Sequence, residues 1–333
     1  MIKEGGSSMR CLKLFFSGFL IWSSLGTSLA DTRLANTANN TAVYATTDAY
    51  TPTVYEMSSS SRPCWGSVAI LPSNYAPLAA KTASVPLPCN FTPSEGTDKE
   101  AVILDYTHGS LRVFEGWQLN KSGGNWSMAW GGYEPESAFT KTAYGWAWPT
   151  SESMYGVQAS GLAFLPGIIT VKELSSGKIS HAIHMIVPRS CNTWVSPATR
   201  TDGSSVPTGT LDCYQYGMAY KLPSNFVIPS NWPNVVKMIA VAARDYGLVV
   251  TDQSGYGIGF RFENYKRPEA WWSNNGAVVD PYSDPTQAGL NFFQCPNPWT
   301  WACYPDGGHL FKPLSQVVAP NSQSFWQALV RVN

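Results

Sequence analysis

The apolar positions of this chain run mostly in short stretches with a period of two, not in long helical stripes. Ala101–Asp105 is an apolar run, Thr107-His108-Gly109-Ser110 is turn chemistry, and Leu111–Leu119 alternates, so the three together predict a β-hairpin. Ile179–Val187, Leu248–Asp252 and Gly257–Phe262 predict further strands. Two helices are expected. Thr170 caps a short one that stops at Gly177. Asn231 or Ser230 caps a longer one, with Pro233 in its first turn and Val235, Val236, Ile239, Ala242 and Ala243 as its apolar positions before Gly247. Many short strands with few helices predict a mainly β fold: a β-sandwich or jelly roll with one or two helices and long disulfide-stapled loops.

The N-terminal pattern is of a different kind. Arg10 and Lys13 precede an apolar stretch from Leu14 to Leu25, and Ser28-Leu29-Ala30 follows as a small-x-small cleavage site. That order predicts a secretory signal over residues 1–30 and a secreted or periplasmic location after cleavage near Ala30. The apolar stretch is shorter than the about 20 residues of a spanning helix, and no other stretch is longer, so no membrane span is expected. Residues 31–62, rich in Thr, Asn, Ala and Ser, predict a flexible N-terminal arm. Residues 63–333 read as a single β-rich domain with its core over 101–265, an irregular lobe over 63–99, and a tail that wraps the core as loops.

Cysteine usage agrees with export. Of seven cysteines, Cys11 leaves with the leader, and Cys64, Cys89, Cys191, Cys213, Cys295 and Cys303 remain. An even number in an exported chain predicts disulfides, and the six fall into three separated couples, which favours pairing between neighbours. The whole chain carries a formal net charge of +0; removing Lys3, Arg10, Lys13 and Glu4 with the leader leaves −2. Near-neutrality argues against a nucleic-acid partner and weakly against a strongly anionic polymer. There is no C-x-x-C, Cys/His cluster, G-x-S-x-G, H-E-x-x-H, Walker loop or dinucleotide fingerprint, so no metal and no cofactor are expected.

Polar residues inside apolar registers are the candidate chemistry. On Leu111–Leu119 one face carries Leu111, Val113, Glu115, Trp117 and Leu119, which sets Glu115 among apolar neighbours. A carboxyl there is paired, protonated or facing a cleft, and a raised pKa suits a general acid. His181 shares a face with Ile179, Ile183, Met185 and Val187, while His184 falls on the other face. Asp202 lies in an Asp-Gly turn and Asp252 ends the strand that starts at Leu248. The competing readings are structural: an ion-paired Glu, a satisfied core His and two turn carboxylates.

Aromatic residues are abundant, with 14 Trp, 16 Tyr and 14 Phe, and they concentrate where the chain looks loop-like. Trp126, Trp130, Tyr133, Trp146 and Trp148 form one such group; Trp271, Trp272, Trp299 and Trp301 form another. Exposed aromatic faces stack on sugars, so a polysaccharide or oligosaccharide is the expected partner, with Trp117, Trp130, Trp146, Arg200 and Tyr216 as candidate contacts. The oligomeric state is left open.

LRVFEGW, ASGLAFLPGIITVKELSSGKISHAIHMIVPR, SPATRTDG and ARDYGLVVTDQSG resemble, in that order, the motifs of a widespread bacterial family of exported proteins without an assigned activity. The resemblance spans roughly Ala101 to Gly255. It implies that Glu115, Ser160-Gly161-Leu162, His181, the SPATRTDG loop and Asp252 belong to one common pattern. Relatives often carry a His close to PAT, where this chain has Ser196 before it.

Together these readings favour a secreted glycoside hydrolase on a neutral polysaccharide, with Glu115 as general acid, Asp252 or Asp202 as base or nucleophile, and His181 orienting Glu115. A polysaccharide lyase with His181 as base and Tyr216 as acid is the first alternative. A non-catalytic carbohydrate-binding or envelope interaction protein is the second.

Overall fold

The computed structural model describes residues 34–35, 42–58, 67–148, 157–264, 308–310 and 325–333, except positions 48, 74–75, 208–212, 231, 233 and 256. Within them the fold is mainly β and is organised around two mixed sheets. Their strands, in chain order, are β1 (Ala42–Thr46), β2 (Thr53–Met57), β3 (Ala101–Asp105), β4 (Arg112–Trp117), β5 (Trp130–Pro135), β6 (Ile183–Val187), β7 (Ala219–Lys221), β8 (Leu248–Gln253), β9 (Gly257–Arg261), β10 (Gly308–Leu310) and β11 (Val330–Arg331). The larger sheet has the order β10-β1-β9-β6-β8-β7-β11, and the smaller β5-β4-β3-β2.

The period-two pattern explains the layering. In the larger sheet Ile183, Met185, Val187, Leu248, Val250, Ile258 and Phe260 share one core. The helix α2 (Asn234–Asp245) closes it with Val235, Val236, Ile239 and Ala243. The alternate residues, His184, Val249, Gly259 and Arg261, turn toward the smaller sheet. There Val54, Val102 and Val113 face inward onto Trp148, Phe164 and Ile168, while Tyr55, Ile103, Phe114 and Tyr133 face outward. Residues 145–148 and 157–169 are thus the filling of a sandwich.

Helix starts and stops follow the sequence chemistry. The helix α1 (Val171–Ser176) begins at Thr170, whose hydroxyl accepts the Glu173 amide at 3.2 Å while Glu173 Oε2 accepts the Thr170 amide at 3.0 Å, a reciprocal capping box. Gly177 ends it at φ 75°, and Gly247 follows α2 at φ 110°. The hairpin β3–β4 pairs Ala101 with Gly116 through to Asp105 with Arg112, around a turn holding Gly109 at φ 80°.

Three expectations are corrected. Residues 42–57 are not an arm: β1 pairs parallel to β9, and β2 parallel to β3, because Val43, Ala45, Val54 and Tyr55 have apolar faces to bury. The strand at Ile179–Val187 begins only at Ile183, because its partner β8 begins at Leu248, opposite Ile183. The aromatic residues Trp126, Trp130, Tyr133 and Trp146 stand on strands, not in loops, with Asn125–Met128, β5 and Gly145–Ala147 all paired. The lobe over 67–99 carries short strands and packs Ile70, Val85 and Leu87 on the outer face of the smaller sheet.

Cys191 and Cys213 form a disulfide, and Cys89 is also disulfide-bonded. Cys64, Cys295 and Cys303, and Trp271, Trp272, Trp299 and Trp301, lie outside the described residues. Among the described residues no helix is long and apolar enough to cross a membrane.

Candidate functional site

At one end of the sandwich the two sheets part around a cavity of about 470 Å³. The ends of β4, β8 and β9 and the starts of β3 and β5 meet there. Its walls include Asp98, Glu100, Trp117, Trp130, Arg200, Asp202, Asp252 and Arg261.

Arg261 is the hub. It ends β9 on the inter-sheet face and is almost fully buried. Its Nη1 donates to Glu100 Oε2 at 3.0 Å and to the Tyr50 carbonyl at 3.0 Å, and its Nη2 donates to Asp252 Oδ2 at 2.9 Å. The guanidinium also lies 4.8 Å above the Phe164 ring. One cation therefore serves two buried carboxyls. Burial pushes the Asp252 carboxyl up to about 6, against the pull of Arg261 and with help from the nearby Asp202 charge. Glu100 is pushed up further by its complete burial, again against Arg261. One guanidinium cannot offset the desolvation of both carboxyls, so both are held above the ordinary carboxylate range.

Asp202 reaches the cavity from a tethered loop. Its Oδ1 accepts the Tyr216 hydroxyl at 2.8 Å. The neighbouring Thr201 hydroxyl donates to the Cys191 carbonyl at 2.8 Å, and Gly203 lies so close to that carbonyl that an added Cβ would sit 2.2 Å from it. The Cys191–Cys213 disulfide thus anchors the strand on which the loop rests. Arg200, from the same loop, donates to the Gln158 carbonyl at 3.1 Å and lies 5.6 Å from the Trp130 ring centroid. Trp130 and Trp117 are directly paired across β5 and β4, so their side chains project from the same face of the sheet.

Five of the sequence candidates, Trp117, Trp130, Arg200, Asp202 and Asp252, line this one cavity. The others do not. Glu115 does share its face with Val113, but it is fully buried between the layers, where its Oε1 accepts the Leu165 amide at 3.1 Å. Burial raises its carboxyl to about 7, with the Phe164 and Leu165 amides and the Trp148 side chain acting the other way. It does not line this cavity. His181 lies outside β6 and pairs with Glu173 at 2.9 Å, which raises its pKa despite burial. Neither Glu115 nor His181 lines this cavity, and the polar partner of each lies elsewhere, the Leu165 amide for Glu115 and Glu173 for His181, which does not fit the expected orienting of Glu115 by His181. Tyr216 is fully buried, so it reaches Asp202 and not a ligand. Trp146 packs against Phe139 under the Lys141 ammonium, away from the cavity.

Sequence reasoning missed Asp98, Glu100 and Arg261. Arg261 carried a readable signal: it is a charge within the apolar Ile258–Phe262 alternation, the same criterion that singled out Glu115. Glu100 and Asp98 precede a strand and look like ordinary turn carboxylates. Their neighbour Lys99 has φ 43° and Gln118, just after Trp117, has φ 53°; among the described residues they are the non-glycine positions with positive φ. The two strained segments bind each other, Gln118 N–H donating to the Asp98 carbonyl at 2.7 Å and Leu119 N–H to the Lys99 carbonyl at 3.1 Å. Strain of this kind gathers at functional sites, and here both instances flank the cavity.

Compared with protein-family models, with curated proteins and with solved structures, the chain matches none.

Proposed function

We propose that this protein is a polysaccharide-cleaving glycoside hydrolase that works outside the cytoplasm, with the Asp252–Asp202 cavity as its active site. The observation that carries the reading is the facing of two carboxylates and a cross-strand tryptophan pair on one cavity. Tryptophan faces give a sugar ring a flat apolar wall. Asp252, titrating near 6, holds a proton to give to the leaving glycosidic oxygen as the bond to the anomeric carbon breaks. Asp202 is the second carboxylate, and its separation from Asp252 in the working complex decides between direct attack by water and a covalent glycosyl intermediate. Arg261 fixes the orientation of Asp252 and is not available to the substrate's charges. The leader-like N-terminus and the disulfides support the extracytoplasmic placement.

The acid assignment carries a sign for pH. Activity should fall as pH rises through about 6, because Asp252 then loses the proton it must donate. The test is incubation of the purified chain with a panel of polysaccharides, products being read by mass, followed by Asp252→Asn. Asn keeps an acceptor for Arg261 but has no proton to give, so the rate should drop about 10²–10⁴-fold with the fold intact. Folded wild-type protein that releases nothing from any polysaccharide, or an Asp252→Asn variant of normal rate, would overturn the reading.

A further inference from the structure

Gln253 follows Asp252 on the cavity wall, and it is exposed yet fixed. β8 has one residue more than β6 in this stretch: Met185 pairs with Val250 and Ile186 with Asp252, which leaves Thr251 as a bulge. A bulge re-aims the side chains that follow it, and here those are Asp252 and Gln253. The backbone N–H of Gln253 donates to Asp252 Oδ1 at 2.8 Å. Its side-chain Oε1 accepts two bonds from Ser190, from the backbone N–H at 2.8 Å and from the hydroxyl at 2.6 Å. A backbone N–H can only donate, so the end of the carboxamide that meets it is the oxygen. Ser190 is fully buried and stands one residue before Cys191 of the disulfide. An exposed glutamine ordinarily turns freely, and a ligand that uses it must stop the motion at an entropic cost; here Ser190 has stopped it beforehand. The two bonds account for the oxygen and leave the Nε2, from which no group among the described residues accepts.

We infer that Gln253 is a specificity-determining contact of this cavity, a fixed Nε2–H donor to a sugar hydroxyl beside Asp252, and that Ser190 is the positioning residue that holds it. The inference rests on the carbohydrate reading and adds to it the residue that reads the sugar. The rest of the wall gives such a donor its use. Asp98 and Asp202 offer carboxyl oxygens. Arg261 donates to Glu100, to the Tyr50 carbonyl and to Asp252, and Arg200 donates to the Gln158 carbonyl. Gln253 therefore sets a neutral donor beside acceptors. A hydroxyl has one hydrogen to give and two lone pairs, so it donates to a carboxyl oxygen and accepts from the amide at the same time. A sugar without a hydroxyl at that place leaves the amide unpaired, which is how a fixed donor discriminates.

The test is calorimetric binding of four tetrasaccharides to the whole chain, of glucose, mannose, xylose and N-acetylglucosamine, the tightest of them serving as probe. Gln253→Glu keeps an oxygen for both Ser190 bonds and removes only the donor, and it should bind the probe about tenfold more weakly. Gln253→Met, which removes the oxygen as well, should lose about as much. Ser190→Ala should weaken binding about threefold, because the backbone N–H alone then holds the carboxamide. Combined with Gln253→Glu it should add nothing, since Ser190 acts through Gln253. Wild-type affinity in Gln253→Glu would show that Gln253 serves only to satisfy Ser190, and would overturn the inference while leaving a carbohydrate site in place. No loss in Ser190→Ala, or a loss that adds to that of Gln253→Glu, would overturn the positioning role of Ser190. Absence of binding by all four would overturn the carbohydrate reading together with the inference.

Discussion

The layer between the two sheets has a sealed end and an open end, and both hold buried titratable groups. At the sealed end Glu115 and His184 are completely enclosed. Gln158 contacts His184 Nδ1 at 2.9 Å, and an added Cβ on Gly167 would come within 2.0 Å of the imidazole, so the ring is gripped and nothing else fits. Burial lowers His184 to about 3 and raises Glu115 to about 7, which keeps both uncharged over much of the pH range. At the open end Glu100 and Arg261 are nearly as deep and Asp252 is partly exposed, and the three form an ion-paired cluster that borders a cavity. Perturbed titration is common to both ends. Reach to a ligand belongs to one. A strongly shifted pKa marks desolvation first and function only where a cavity meets it.

The largest effect should come from breaking the open end. Arg261→Met strands two buried carboxyls on one loss, and should lower the unfolding free energy by about 3–5 kcal/mol in urea titrations at pH 7. Unchanged stability would mean that the cluster is solvated and the contrast between the ends is false. Next is the sealed end, where Glu115→Gln should stabilise. A carboxyl raised from 4.5 to about 7 contributes its full stability below 4.5 and loses it as pH rises through about 7. Gln keeps an acceptor for the Leu165 amide without that ionisation. The gain should approach about 3 kcal/mol at pH 8 and vanish near pH 4; a loss at pH 8 would show that the ionised form is held by groups in the fold. Smaller again, Trp130→Ala should weaken oligosaccharide binding by about 1 kcal/mol while Trp146→Ala leaves it unchanged, as read by calorimetry. The smallest is His181→Gln. His181 is partly exposed, so the loss should stay under about 1 kcal/mol. Its pKa is raised by Glu173, so the loss should be present at low pH and disappear as pH rises above the histidine range.

The sequence showed the hairpin, both helices and the mainly β class because these depend on local pattern and local caps. Thr170, Gly177 and Gly109 do in the structure what their chemistry allows anywhere. The site was legible in part, since Asp202, Asp252, Trp117 and Trp130 stand at strand ends or in loops. The pairing of Arg261 with Glu100 joins positions 161 residues apart, and no periodicity reports such a meeting. The register argument placed Glu115 correctly among apolar neighbours, yet register says only which face a residue takes. Whether that face meets a cavity or the inter-sheet residues 157–169 is decided by packing from the rest of the chain. His181 failed for a related reason: a strand ends where its partner ends, and the partner is distant in sequence.

The parallel pairing of β1 with β9 carries a consequence in time. Ala42 lies opposite Gly257, and Thr51 donates to the carbonyl of Phe262, 211 positions away. On a chain that emerges from its N-terminus, β1 is made early and has no place to go until β9 exists. The β3–β4 hairpin closes over a few residues and can form at once, whereas the larger sheet must wait for its last strands. Contacts of such long range make for slow folding. The first of the described strands is thus among the last to be secured.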